Sequence, residues 1–140
     1  MIKHPLFFPM FFYIFYMFFL LLKNFKIRVK AIENGEISKT YFKLYTGSEL
    51  PLEVDVMGRH LNNQFQLPLV FFVTCLTLLN LQVSPIVSTI LASLFVLSRL
   101  FHSYIHLGSN HILHRAKVYA LGWIFILLMW LFAFFEYVTT

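Results

Sequence analysis

Cysteine is nearly missing from this chain. Cys75 is the only one, so no intramolecular disulfide can form. It sits in the apolar run Val73-Thr74-Cys75-Leu76 with no basic neighbour, where it reads as a small packing residue and not as an activated thiol. Charge is also scarce: charged residues make up 12% of the 140 positions and only 6 are acidic, against about 25% charged in an ordinary soluble domain. A soluble globular fold is excluded on that ground. No internal repeat or low-complexity linker is present. The chain also has no GxSxG, no glycine-rich phosphate loop, no CxxC and no acid pair inside an apolar run, which removes the common hydrolase, nucleotide-binding and zinc-ribbon readings.

What fills the space is apolar. Hydrophobic residues make up 59% of the chain, and 18 are phenylalanine. A helix needs about 20 apolar residues to cross a bilayer core, and four segments qualify, at about 6–22, 63–81, 85–107 and 118–138. A cleaved signal peptide is disfavoured for the first, because Lys23-Asn24-Phe25-Lys26 follows it instead of a small-residue cleavage site. The chain therefore reads as one all-α membrane domain, with a loop at about 23–59 as its only soluble-looking part. Glu33-Asn34-Gly35-Glu36 and Tyr45 to Pro51 read as turns in that loop.

Nine of the 11 basic residues lie in or beside two loops: Lys23, Lys26, Arg28, Lys30, Lys39, Lys43 and Arg59 in one, Arg115 and Lys117 in the other. The link Gln82-Val83-Ser84 carries none, and the amino terminus carries only Lys3. The positive-inside rule then places both basic loops in the cytoplasm and both termini outside. The net charge of +5 is a topology signal and not a nucleic-acid surface, since no basic patch with interleaved aromatics exists.

Polar residues within the spans share faces. Arg59, Asn63 and Gln66 are spaced i, i+4, i+7, and Arg99, His102, His106 and Asn110 are spaced i, i+3, i+7, i+11. Two stripes at the same depth predict a shared polar pocket open to the cytoplasm. Interhelical hydrogen bonding accounts for Asn62, Gln64 and Ser98. It is insufficient for Arg99, because an arginine at that depth calls for a partner or an anionic ligand. His102 and His106, with His111 and His114 beyond, also admit a metal reading, but one histidine cluster with no acidic ligand falls short of a complete site. Glu136, beside Tyr137, is expected to reach the outer interface.

The order and spacing of several segments resemble the MAPEG family, the membrane-associated proteins of eicosanoid and glutathione metabolism, and in particular its short bacterial members. The segments are Arg28-Val29-Lys30-Ala31 with Gly35-Glu36, then Arg59-His60-Leu61-Asn62-Asn63 with Gln66 and Pro68, then Phe95 to Ser103, then Asn110 with Arg115. The resemblance covers about Arg28 to Trp130. It implies a left-handed four-helix bundle that assembles as a homotrimer in the bacterial inner membrane. Glutathione, as co-substrate, would lie between subunits near the cytoplasmic face.

By the same resemblance Arg59 and Asn63 match the arginine and asparagine that hold glutathione, Gln66 takes the place of a family glutamate, and Arg99 and Arg28 match arginines of the third helix and first loop. His102 and His106 stand where the eicosanoid enzymes have tyrosines, and Asn110 completes the binding set. The thiol-activating arginine of those enzymes would fall at Leu113. Arg115, two residues on, is the catalytic candidate; it points away on a continuous helix and returns to the face if Gly108-Ser109 breaks that helix. Arginines pair bidentately with carboxylates and favour a thiolate over a thiol. The implied function is a glutathione transferase or peroxidase acting on hydrophobic electrophiles or lipid hydroperoxides. The alternative is a non-catalytic lipid-binding or scaffold protein of the same fold.

Overall fold

A computed structural model describes residues 4–44 and 49–139. Every regular element among them is helical: α1 (Phe7–Glu33), α2 (Lys39–Leu44), α3 (Leu52–Gln64), α4 (Leu67–Asn80), α5 (Pro85–Leu107) and α6 (Ile112–Thr139). Three of these, α1, α5 and α6, are long and apolar enough to cross a membrane.

Helix α1 corrects the expected loop. It has no glycine and no proline beyond Pro9, so nothing stops it at the lysines, and it continues to Glu33. At about 1.5 Å per residue, its 27 residues outrun a hydrocarbon core of about 30 Å. The last eleven carry Lys23, Lys26, Arg28 and Lys30 beyond the apolar part. It ends at the turn expected around residues 33–36: Gly35 adopts φ 73°, open to glycine without steric cost, and the Glu36 N–H donates back to the Ala31 carbonyl at 2.9 Å. Much of the remaining "loop" is α2 and α3. Residues 45–48 of the second expected turn lie outside the described residues, as do Lys3 and Thr140.

The expected span at 63–81 is not one helix. Helix α3 stops at Gln64, and α4 starts at Leu67 with Pro68 in its first turn. Proline has no N–H to give the carbonyl four residues back, and its ring disfavours the helical conformation in the residue before it. The chain therefore jogs at Phe65 and Gln66, where Gln66 takes φ −97° and ψ −90°. Gln66 consequently leaves the face shared by Arg59 and Asn63.

Helices α5 and α6 pack along each other as a hairpin. Helix α1 lies against α3 and α5, and α4 lies against α6 and α5. The apolar core sits toward the α4–α5 link. There Phe71 stacks on Phe95 with centroids 4.2 Å apart, and Tyr13 meets both rings edge-on. Cys75 is buried in this core, as a packing residue should be. Gly122 lets α6 approach closely: a Cβ there would lie 3.2 Å from Leu67 Cδ2 and 3.4 Å from Ser98 Oγ. At the link itself the Ser84 N–H donates to a Glu136 carboxylate oxygen at 2.6 Å, so this acid caps the start of α5. Most phenylalanines of α1 remain exposed on its outer face, as expected for a surface that meets lipid.

Candidate functional site

Toward the basic end of the molecule the core changes from apolar to polar. Ser98, Arg99, His102, Ser103 and His106 of α5 are all buried. They fall at i, i+1, i+4, i+5 and i+8, so one inward stripe carries them. Across from it, α3 presents His60 and Gln64, both buried, and α6 presents Arg115 and Tyr119. No aspartate or glutamate is among the buried side chains described.

The hydrogen bonds assign each imidazole a proton. Tyr13 Oη donates to Gln64 Oε1, leaving the Gln64 amide nitrogen to donate to His60 Nε2 at 3.2 Å. Neutral His60 then carries its proton on Nδ1. His102 Nδ1 lies 3.2 Å from the Arg115 carbonyl, which only accepts, so His102 is protonated on Nδ1. Arg115 Nη1 donates to Asn110 Oδ1 at 2.7 Å and to His106 Nε2 at 3.3 Å. An arginine cannot accept, so His106 also carries its proton on Nδ1.

The three rings cluster, with centroids 5.0 Å apart for His60 and His106, 5.7 Å for His102 and His106, and 6.1 Å for His60 and His102. Arg99 lies with its guanidinium carbon 5.0 Å from the centre of the Tyr119 ring, a cation–π contact. Its Nε and Nη2, together with His60 Nδ1, His102 Nε2 and His106 Nδ1, find no hydrogen-bond partner among the described residues. Among the described residues no three histidine, cysteine or acidic side chains are arranged to hold a metal ion.

The expected residues divide between this layer and the outside. Arg99, His102 and His106 line it. Asn110 does so from the turn after α5, not from a helical register: α5 ends at Leu107, and Asn110 takes φ 51°. That turn also brings Arg115 back. Helix α6 restarts at Ile112, and Arg115 points inward instead of away. Arg59, Asn63 and Gln66, however, make no hydrogen bond or ion pair with the α5 stripe among the described residues. Arg59 is 59% exposed and pairs with Asp55 at 2.8 Å on the outer face of α3. Asn63 is half-buried and Gln66 exposed. The single shared pocket of two stripes is thus corrected, because the α3 side chains that face α5 are His60 and Gln64. Arg28 lies apart on the extension of α1, with its guanidinium 5.2 Å from the Phe42 ring and its Nη2 beside Gly58.

His60 is the member of the layer that sequence reasoning left without a role. Its signal was available, since Met57, His60 and Gln64 repeat at helical spacing on a face neighbouring that of Arg59 and Asn63. A half-polar helix offers two such faces, and sequence alone does not say which turns inward.

An all-helical chain with three membrane-capable helices and a buried layer of arginine and histidine is an integral membrane protein, with its polar chemistry held inside a helix cluster. The MAPEG family model matches residues 6–135, nearly the whole chain, and the protein belongs to the MAPEG family. No curated protein and no solved structure matches it significantly.

Proposed function

We propose that the protein is a glutathione-binding membrane protein, acting as a transferase or peroxidase on hydrophobic electrophiles or lipid hydroperoxides. In this reading the α3–α4 pair completes a four-helix bundle and three copies assemble. The basic end faces the cytoplasm, and the chain resides in a bacterial inner membrane with both termini outside. One glutathione lies between neighbouring subunits. One observation carries the reading. Of the side chains at the family's binding positions, Arg59 is exposed and Asn63 half-buried at the surface of its own subunit, which leaves both open to a ligand between subunits. Gln66 lies at the same outer end, and Arg99, His102, His106 and Asn110 form the polar layer behind α3. Arg28, apart on the extension of α1 in one subunit, would join the site only from a neighbouring copy. Arg115, held by Asn110 and His106, is the cation assigned to stabilise the thiolate.

Titration of the detergent-purified protein with glutathione, read as a shift in melting temperature, tests binding; turnover with a generic electrophile tests activity. A dose-dependent stabilisation at millimolar glutathione is expected. A second reading, a non-catalytic lipid-binding or scaffold protein, is favoured by the Asp55 carboxylate that already occupies Arg59. No shift with glutathione would establish it in place of the first.

A further inference from the structure

Two cavities on the α1–α5 side of the molecule join at shared residues. One, of about 390 Å³ at the basic end, is lined by Lys23, Glu53, Met57, His106 and Asn110 among others. The other, of about 400 Å³, runs between α1 and α5 and is lined by Tyr16, Leu20, Leu100 and Tyr104 among others. Lys23, Leu107 and Gly108 belong to both. The second cavity opens onto the apolar outer surface, where its lining residues Phe19 and Tyr104 are 60% and 80% exposed. Together they form a slot that is apolar along the spans and polar beyond them.

The polar part carries both signs of charge. Lys23 and Glu53 line it without forming an ion pair with each other; among the described residues the ion pair is Arg59–Asp55. His106 is on its wall but is 2% exposed with its Nδ1 enclosed, so that imidazole is not open to a ligand in the chamber. The chamber therefore offers a cation for an oxyanion and a carboxylate for an ammonium.

From these features we infer that the slot binds a phospholipid with a zwitterionic amine head, of the phosphatidylethanolamine class. Its phosphate takes Lys23, its ammonium takes Glu53, and one acyl chain lies in the α1–α5 groove. An anionic lipid would satisfy Lys23 but bring its charge toward Glu53 with nothing to offset it. A soluble zwitterion would leave the apolar groove unused. Lys23, Glu53 and the α1–α5 groove lie outside the proposed glutathione contacts, whereas His106 and Asn110 border both sites, so competition with glutathione tells the two apart.

Native mass measurement of the detergent-purified protein titrated with phosphatidylethanolamine or with phosphatidylglycerol tests this. The ethanolamine lipid should be retained as one adduct per chain, at roughly ten-fold lower concentration than the glycerol lipid, the effect of one charge-assisted contact. Glu53→Gln should erase that preference, Lys23→Ala should weaken both lipids, and Leu100→Trp should block the groove while leaving every charge in place. Lys23 and Glu53 are exposed and Leu100 is partly so, so these changes spare the core. Equal retention of the two lipids by the parent protein overturns the inference, as does indifference to Leu100→Trp. Displacement of bound lipid by glutathione also overturns it, since it would assign the polar chamber to glutathione.

Discussion

Arg99 concentrates the physical problem of this protein in one side chain. It is 1% exposed, and among the described residues its Nε and Nη2 have no partner and no acid is buried with it. A charged side chain at membrane depth costs about 2.5–3.5 kcal/mol on insertion scales, so a ring contact with Tyr119 is modest compensation. Replacing a buried charge by an apolar group of similar volume is often neutral or stabilising. Arg99→Met should therefore leave the melting temperature without ligand unchanged or raised; a marked drop would mean that Arg99 holds a partner the chain itself supplies. Arg59 behaves differently because it is on the surface. Its pair with Asp55 is exposed, and such pairs contribute about 0–1 kcal/mol. Arg59→Ala should barely change stability without ligand. If Arg59 holds a glutathione carboxylate, the same change should weaken binding by about 1.5–3 kcal/mol. Arg59→Lys should recover only part, since lysine lacks the planar fork. Melting curves with and without glutathione separate these effects. If Arg59→Ala destabilises the ligand-free protein and leaves any glutathione shift intact, Arg59 is a structural residue.

Among the elements, the approach of α6 to α4 and α5 depends on Gly122. The space for a Cβ there is already tight against Leu67 and Ser98. Gly122→Val should cost about 1–3 kcal/mol through overpacking, visible as an earlier thermal transition; a transition at the parent temperature would show that the helices separate freely at this point. How much of the helix arrangement could be read from the sequence depended on what interrupts each helix. The stripe on α5 was legible because no breaker lies between Arg99 and His106, and its expected members in that stretch are buried. The face of α3 was misread past Asn63, because the effect of Pro68 reaches the carbonyl four residues back and ends the helix at Gln64. Arg115 needed the turn at Gly108 to Asn110, and a positive φ at an asparagine leaves only a weak trace in sequence. The continuation of α1 beyond Lys23 was hidden for another reason: hydropathy marks where the apolar surface stops, not where the helix does.

The assembled molecule should reveal itself by symmetry and sidedness. Asn63 and Arg59 on an outward face are consistent with a neighbouring copy covering them, so cross-linking in mild detergent should give a trimer. A stable monomer that still binds glutathione would refute an intersubunit site. Reporter fusions at Gly47 and Ser109 should read as cytoplasmic and one at Thr140 as external; a periplasmic signal at Gly47 would invert the proposed orientation and move the site to the other side of the membrane.

The four-residue connection between Leu107 and Ile112 also bears on how the chain first enters the bilayer. So short a turn obliges α5 and α6 to enter as one helical hairpin. The bonds from Arg115 to His102, His106 and Asn110 can then close before any other helix arrives. Part of the polar cost of α5 is met locally, during synthesis, by the residues that come next off the ribosome. The Tyr13–Gln64–His60 chain has no such advantage, since its members come from helices that must find each other afterwards. In a translocon insertion assay, Pro85–Leu107 should insert less efficiently alone than when followed by Ile112–Thr139, and Arg115→Ala should remove part of that gain. Equal insertion of α5 with and without α6 would show instead that its polar stripe is satisfied only after the whole protein has assembled.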